Sequence, residues 1–264
     1  MPDAVSRVDP ESGSNPAEGG AEMTVQLFVT CLVDAFAPEV GRAVVKVLED
    51  HGLTVGFPFD QTCCGQPAFN AGHRDEARAM AERTVKILDD TDGPIVIPSG
   101  SCAAMMIGHY RDLLSGRPEL VAAGERVARR VREFTQFLVD DLGLQGIGGD
   151  TPGPIVFHPS CHGLRYLSLR GYGEKVLDIA GIERCELSGA EECCGFGGLF
   201  AVEMPEVSTA IMDTKLTNVE ASGAQTLVGY DLSCLMHLAG GLHRRGSQMQ
   251  VRHIAELLTG KDQA

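Results

Sequence analysis

The chain has 264 residues and carries 36 Asp and Glu against 22 Lys and Arg, a formal net charge of −14. That balance excludes nucleic acid and anionic membrane as principal partners. No run approaches the ~20 apolar residues of a membrane span, so direct membrane insertion is not expected and any membrane link runs through another protein.

Residues 1–22 are polar, acidic and rich in Gly, Ser and Pro, and read as a disordered tail without the apolar core of a secretory signal. A cytoplasmic setting follows, in which nine cysteines stay reduced and point to metal or redox chemistry rather than disulfides. From Thr24 strands and helices alternate. Val25 to Thr30 is a strand leading to Cys31, and Glu39 to His51 has apolar residues at helical spacing (Val40, Val44, Val47, Leu48) before Gly52. Leu53 to Phe57 is a second strand, running into Cys63-Cys64-Gly65. Arg74 to Leu88 is helical, Pro94 to Ile97 is a buried strand, and a helix starts near Cys102 and runs to Tyr110. A further helix is expected over Ala122 to Leu142, with Val127, Val131, Phe134 and Leu138 on one face. Its Arg126 to Arg132 portion reads as a solvated face.

Gly143 to Pro154 is a Gly-rich joint; its Gly146-Ile147-Gly148-Gly149 lacks the context and lysine of a phosphate loop. The programme then restarts. Ile155 to His158 leads to Cys161, Gly173 to Ala180 is helical, and Ile182 to Leu187 precedes Cys193-Cys194-Gly195. Glu206 to Ala221 is helical, and Thr226 to Tyr230 ends near Cys234. Val251 to Leu258 resembles Val131 to Leu138. The expected fold class is therefore α/β, as two pseudo-twofold-related lobes, each a small parallel sheet flanked by helices. The first module spans 23–143 and the second 144–264.

The cysteines follow the same duplication. Cys31 to Cys63 is 63 − 31 = 32 residues, and Cys161 to Cys193 is 193 − 161 = 32. Cys64 to Cys102 is 38 and Cys194 to Cys234 is 40. Four converging thiolates form a soft donor set for an iron–sulfur cluster or zinc. The expected ligands are Cys31, Cys63, Cys64 and Cys102 in one site and Cys161, Cys193, Cys194 and Cys234 in the other. In open α/β sheets ligands sit beyond the C-terminal strand ends, where these cysteines fall. Gly65 and Gly195 allow a tight turn around a bulky group. Helix starts at Cys102 and Cys234 aim amides at thiolates.

These pieces, with Pro98-Ser99-Gly100-Ser101-Cys102, His158-Pro159-Ser160-Cys161-His162 and Cys193-Cys194-Gly195-Phe196-Gly197-Gly198, resemble the duplicated, cysteine-rich CCG-domain family. That family includes the cysteine-rich subunit of heterodisulfide reductase, the iron–sulfur subunits of glycolate oxidase and anaerobic glycerol-3-phosphate dehydrogenase, and the short lactate utilization proteins. The resemblance covers Thr24 to Leu258. It implies iron–sulfur binding, [4Fe-4S] foremost, and electron transfer beside companion lactate-oxidation subunits that turn L-lactate into pyruvate. Alternatives are a heterodisulfide-reductase-like or glycolate-oxidase-type redox subunit with another substrate, and a structural module holding zinc in one or both sites. The family pattern closes in Cys-x-x-Cys, whereas Met105 and His237 stand at the final positions here.

No nucleophile–base–acid arrangement is visible, so no catalytic residue is assigned. His162, beside Cys161, and His237 are the candidates for a proton carrier or extra ligand. His158 brackets Cys161 from the other side, and a backbone-bonded structural role fits either bracket equally. Cys185 has no counterpart in the first half and reads as a thiol outside the sites.

Overall fold

The computed structural model describes residues 23–259, so the expected disordered tail 1–22 lies outside the described residues. Strands β1 (Thr24–Leu27), β2 (Thr54–Gly56), β3 (Ile95–Ile97) and β4 (Val131–Glu133) form one sheet in the order β2-β1-β3-β4. Strands β5 (Ile155–His158), β6 (Arg184–Cys185), β7 (Thr226–Gly229) and β8 (Gln250–His253) form the other in the order β6-β5-β7-β8. Every pairing is parallel, and the two orders are the same. The central strands β3, β5 and β7 are buried throughout, as expected where helices cover both faces of a parallel sheet. Among the described residues no helix is long and apolar enough to cross a membrane.

The helix expected over Ala122 to Leu142 is broken. It runs Pro118–Arg130, gives way to β4, and resumes as helical turns at Phe134–Gln136 and Phe137–Asp141. Val127, Val131, Phe134 and Leu138 are all buried, but they belong to different elements. Tertiary pairing overrides the helical period here. Residues 131–133 pair with β3 in the register Ile95↔Val131 and Ile97↔Glu133. Glu133 then caps the following turn by accepting from the Thr135 and Gln136 amides. The second lobe repeats the device. His253 ends β8, accepts from Ala255 N, and Glu256 reaches back to His253 N at 2.7 Å in a capping box ahead of the turn Ile254–Leu258.

Those two closing turns cross over. Ile254–Leu258 packs on the first-lobe helix Pro38–Asp50, and Phe134–Asp141 packs on the second-lobe helix Tyr172–Ile179. The result is one core shared by both lobes, in which Val44, Leu48 and Phe137 meet Phe157, Leu177 and Leu258. The connecting segment lies along it, with Leu144 and Ile147 against the core and Asp150 N bonded to Leu257 O at 2.9 Å.

Glu133 is fully buried, one carboxylate oxygen has no hydrogen-bond partner among the described residues, and burial raises its pKa to about 7 against the lowering effect of the Thr135 and Gln136 hydrogen bonds. The fold therefore holds a proton that the unfolded chain releases above about 4.5. This contribution is fully present below pH 4.5 and is lost as pH rises through 7. Glu133→Gln keeps the accepting oxygen and removes the titration. From pH 4.5 to 7 the parent should weaken relative to this variant by about 3 kcal/mol, at ~1.4 kcal/mol per pH unit. Urea unfolding of both proteins across that range measures the gap; a gap independent of pH sinks the assignment.

Candidate metal centres at the strand ends

The four single cysteines follow the middle strands of the two sheets, each at the start of a capped helix. Thr30 Oγ1 accepts from Val33 N at 3.3 Å ahead of the helix Cys31–Phe36, and Ser160 Oγ accepts from Gly163 N at 3.3 Å ahead of Cys161–Arg165. Ser99 Oγ accepts from Cys102 N at 3.3 Å ahead of Gly100–Gly108. Asp231 Oδ1 accepts from Ser233 N at 3.2 Å ahead of Leu232–Arg244. Each cap fixes where its helix begins, and therefore where its cysteine points.

The paired cysteines arrive on loops after β2 and β6. Gly65 and Gly195 turn these loops with φ of +89° and +92°. A Cβ on Gly65 would sit 3.1 Å from Ala77 O, and one on Gly195 2.5 Å from Ser208 O, so both conformation and space require glycine. The turned amides donate to sulfur: Gly65 N to Cys63 Sγ at 3.4 Å and Gly195 N to Cys193 Sγ at 3.3 Å. Tyr110 Oη on Cys64 O at 2.9 Å and Ser208 Oγ on Gly195 O at 2.8 Å anchor the same loops.

The sulfurs gather within each half and not across halves. Cys64 Sγ lies 3.4 Å from Cys102 Sγ, and Cys194 Sγ lies 3.0 Å from Cys234 Sγ. Cys31 stands beside Cys63 and Cys161 beside Cys193, with all of these thiols free. In each set the inner two thiols are buried and the outer two half-buried. All eight line one cavity of about 380 Å³ between the lobes. Cys185 lies elsewhere, on β6 opposite Val156 and against the second-lobe core.

Hydrogen bonds from Cys31 and Cys64 pull Cys63 down to about 3, helped by the Gly65 amide. Cys193 is pulled down to about 2 by Cys161, Cys194 and the Gly195 amide. The donors Cys31 and Cys161 move up because they hold their protons toward that thiolate, and burial adds to this. Cys64 and Cys194 are raised by neighbouring sulfurs and burial. Cys63 and Cys193 are therefore the sulfurs most readily deprotonated in their sets, and a metal entering either set displaces the protons that its ligands still carry.

His162 lines the cavity, with Nδ1 3.7 Å from Cys161 Sγ, Nε2 3.4 Å from Gln66 Nε2, and its ring stacked on Tyr166 at 5.5 Å. His237 meets Ser208 Oγ at 3.4 Å and the Phe196 ring at 5.7 Å. Met105 is buried in the first-lobe core beside Cys64 and Cys102. Two residues come into the site that spacing does not single out as parts of it. His158 sends a ring nitrogen to within 4.8 Å of Cys194 and Cys234 Sγ. Burial and the Lys215 charge bring its pKa down to about 3, which leaves a neutral imidazole. Asp231 reaches across the lobes, accepting from Ser101 N at 2.8 Å and Ser99 Oγ at 3.2 Å. Its cap position in Asp231-Leu232-Ser233 is a readable signal; its interlobe bonds are not.

The model of the CCG family, described as a cysteine-rich domain, matches residues 25–107 and 155–239. The chain belongs to the cysteine-rich CCG-domain family. Both CCG copies end just past the helix starts that carry Cys102 and Cys234. The chain is 42% identical over 241 residues to lactate utilization protein A of Shouchella clausii, covering 91% of this chain and all of that one. It is 42% identical over 236 residues to lactate utilization protein A of an Exiguobacterium species, covering 89% and 96%. Among solved structures it resembles the crystal structure of a hypothetical protein from Helicobacter pylori, with a TM-score of 0.64 at 10% identity. That match covers 92% of this chain and about half (50%) of the other, and it speaks to the fold alone.

Proposed function

We propose that this CCG protein is the iron–sulfur electron-transfer subunit of a cytoplasmic complex that oxidises L-lactate to pyruvate with companion subunits. The observation that carries this is the gathering of eight sulfurs into two sets on one interlobe cavity. The similarity over about nine-tenths of the chain to proteins named for lactate utilization supports lactate as the substrate. The donor set fits a thiophilic centre: four sulfurs per lobe, two buried, with an amide aimed at a third. Bound there, an iron–sulfur cluster supplies one-electron transfer. The chain's own part is to fix the sulfurs on capped helix starts, donate Gly65 and Gly195 amides to them, and limit water around the inner pair. These amides and the burial set the potential at which an electron is held.

One observation favours a second reading. His158, Cys194 and Cys234 form a mixed nitrogen–sulfur set of the kind zinc accepts, which makes the second lobe a candidate zinc site. Anaerobic purification followed by iron and zinc analysis and a visible spectrum separates the two. Broad absorbance at about 400 nm with iron present is expected for thiolate-bound clusters; a colourless zinc protein overturns the electron-transfer role. The purified chain alone should give no lactate-dependent dye reduction, and adding the companion subunits should produce it.

A further inference from the structure

His158 stands three residues before Cys161, at the end of β5. The same offset before Cys31 in the first lobe gives Phe28, fully buried in its core. The duplicated frame thus carries a hydrocarbon at one site and an imidazole at the other. The imidazole is 1% exposed, and neither of its ring nitrogens has a hydrogen-bond partner among the described residues. Leaving a buried polar side chain without partners is costly, so buried histidines normally bond a carbonyl, a carboxylate or water. Lys215 Nζ bonds Gly189 O at 2.5 Å and Ala190 O at 2.9 Å and makes no hydrogen bond to the imidazole among the described residues. What His158 does face is sulfur: its nitrogen and the Sγ atoms of Cys194 and Cys234 all lie within 4.8 Å of one another. Metal–nitrogen and metal–sulfur bonds of 2.0–2.3 Å around a tetrahedral centre place donors roughly 3.5 Å apart, so the Cys194–Cys234 pair at 3.0 Å would open slightly while the imidazole, within 4.8 Å, draws in.

We infer that His158 is a nitrogen ligand of the second-lobe metal centre, completing a donor set with Cys194 and Cys234, while the first-lobe centre, with Phe28 in the matching place, is held by sulfur alone. The inference rests on the reading of the cysteine sets as metal sites. It makes the two centres chemically different. One donor set includes an imidazole nitrogen and the other does not; where that nitrogen takes the place of one of the four thiolates, less negative charge surrounds the metal and the second centre is the easier to reduce.

The test uses the full chain, labelled with ¹⁵N-histidine, reconstituted with iron and sulfide, reduced, and examined by pulsed electron paramagnetic resonance. Strong coupling to a directly bound histidine nitrogen is expected in one of the two centres. That coupling should vanish in His158→Phe and in His158→Gln, with circular dichroism unchanged and the signal of the other centre retained. Absence of strong histidine coupling in the parent overturns the inference, as does coupling that survives in a folded variant. Only the weak coupling of an N–H donating to sulfur overturns it as well. If the parent takes up no iron, the electron-transfer reading fails, and Co²⁺ added to the metal-free chain then serves as the probe. Cobalt bound with histidine-nitrogen coupling that His158→Phe removes sustains the His158 assignment without iron; no binding, or binding by sulfur alone, overturns it.

Discussion

Cys194→Ser should empty the second-lobe site and remove about half of the metal bound by the chain, since affinity at such sites depends on a deprotonated sulfur that serine does not provide. Cys64→Ser should remove the other half. Both sulfurs are buried, and each touches its helix-borne partner, Cys102 or Cys234. Cys185→Ser is the control. This thiol lies on β6, half-buried and outside the cavity, and its loss should leave metal content unchanged and cost under ~1 kcal/mol of stability. Metal analysis of the three variants, purified side by side without oxygen, checks the assignment. Equal depletion in the Cys185 variant would remove the distinction between the duplicated cysteines and the spare one.

Asp231→Ala should destabilise the protein by about 3–4 kcal/mol, at the high end for a single polar residue. The carboxylate is 2% exposed and accepts four hydrogen bonds, two from Ser233 in its own helix and two from Ser99 and Ser101 in the other lobe. Alanine leaves Ser101 N and Ser233 N without this acceptor and the helix Leu232–Arg244 without its cap. Asp231→Asn retains one accepting oxygen and should recover part of the loss. Because Ser101 and Ser233 adjoin Cys102 and Cys234, the alanine variant should also bind metal less tightly. Urea denaturation gives the first quantity and metal titration the second; a loss under about 0.5 kcal/mol would show that the bridge carries no weight.

Much of this is legible because the chemistry and the duplication fall on the same residues. Cys31, Cys102, Cys161 and Cys234 follow apolar runs closely, so a parallel-sheet reading already puts them at strand ends. The grouping of Cys31 with Cys63 and Cys64 with Cys102 follows from repetition in register. β4 is not legible. Its three residues continue the helical period of Val127, and only the backbone of β3, some 36 residues earlier (131 − 95), makes them a strand. Nor does spacing distinguish among the histidines. His237 stands where the resemblance puts a final cysteine, yet the hydrogen-bond partner of its ring is Ser208. His158 ends a buried strand and reads as core until the loop of Cys194 is folded against it. Contacts that depend on two chain segments approaching from different lobes leave no local periodicity behind.

The crossing of the closing turns has a genealogical consequence. Ile254–Leu258 completes the core beneath the first sheet, and Phe134–Asp141 completes the core beneath the second. Two separate copies of an ancestral half, trading these ends, would form a domain-swapped homodimer, and Gly143 to Pro154 is the tether that makes such a dimer permanent. A homodimer must show every substitution twice, once on each side of its axis. A tethered pair is free of that rule. Phe28 on one side and His158 on the other are a divergence that only the fused form permits, and neither half expressed by itself should reach a closed core.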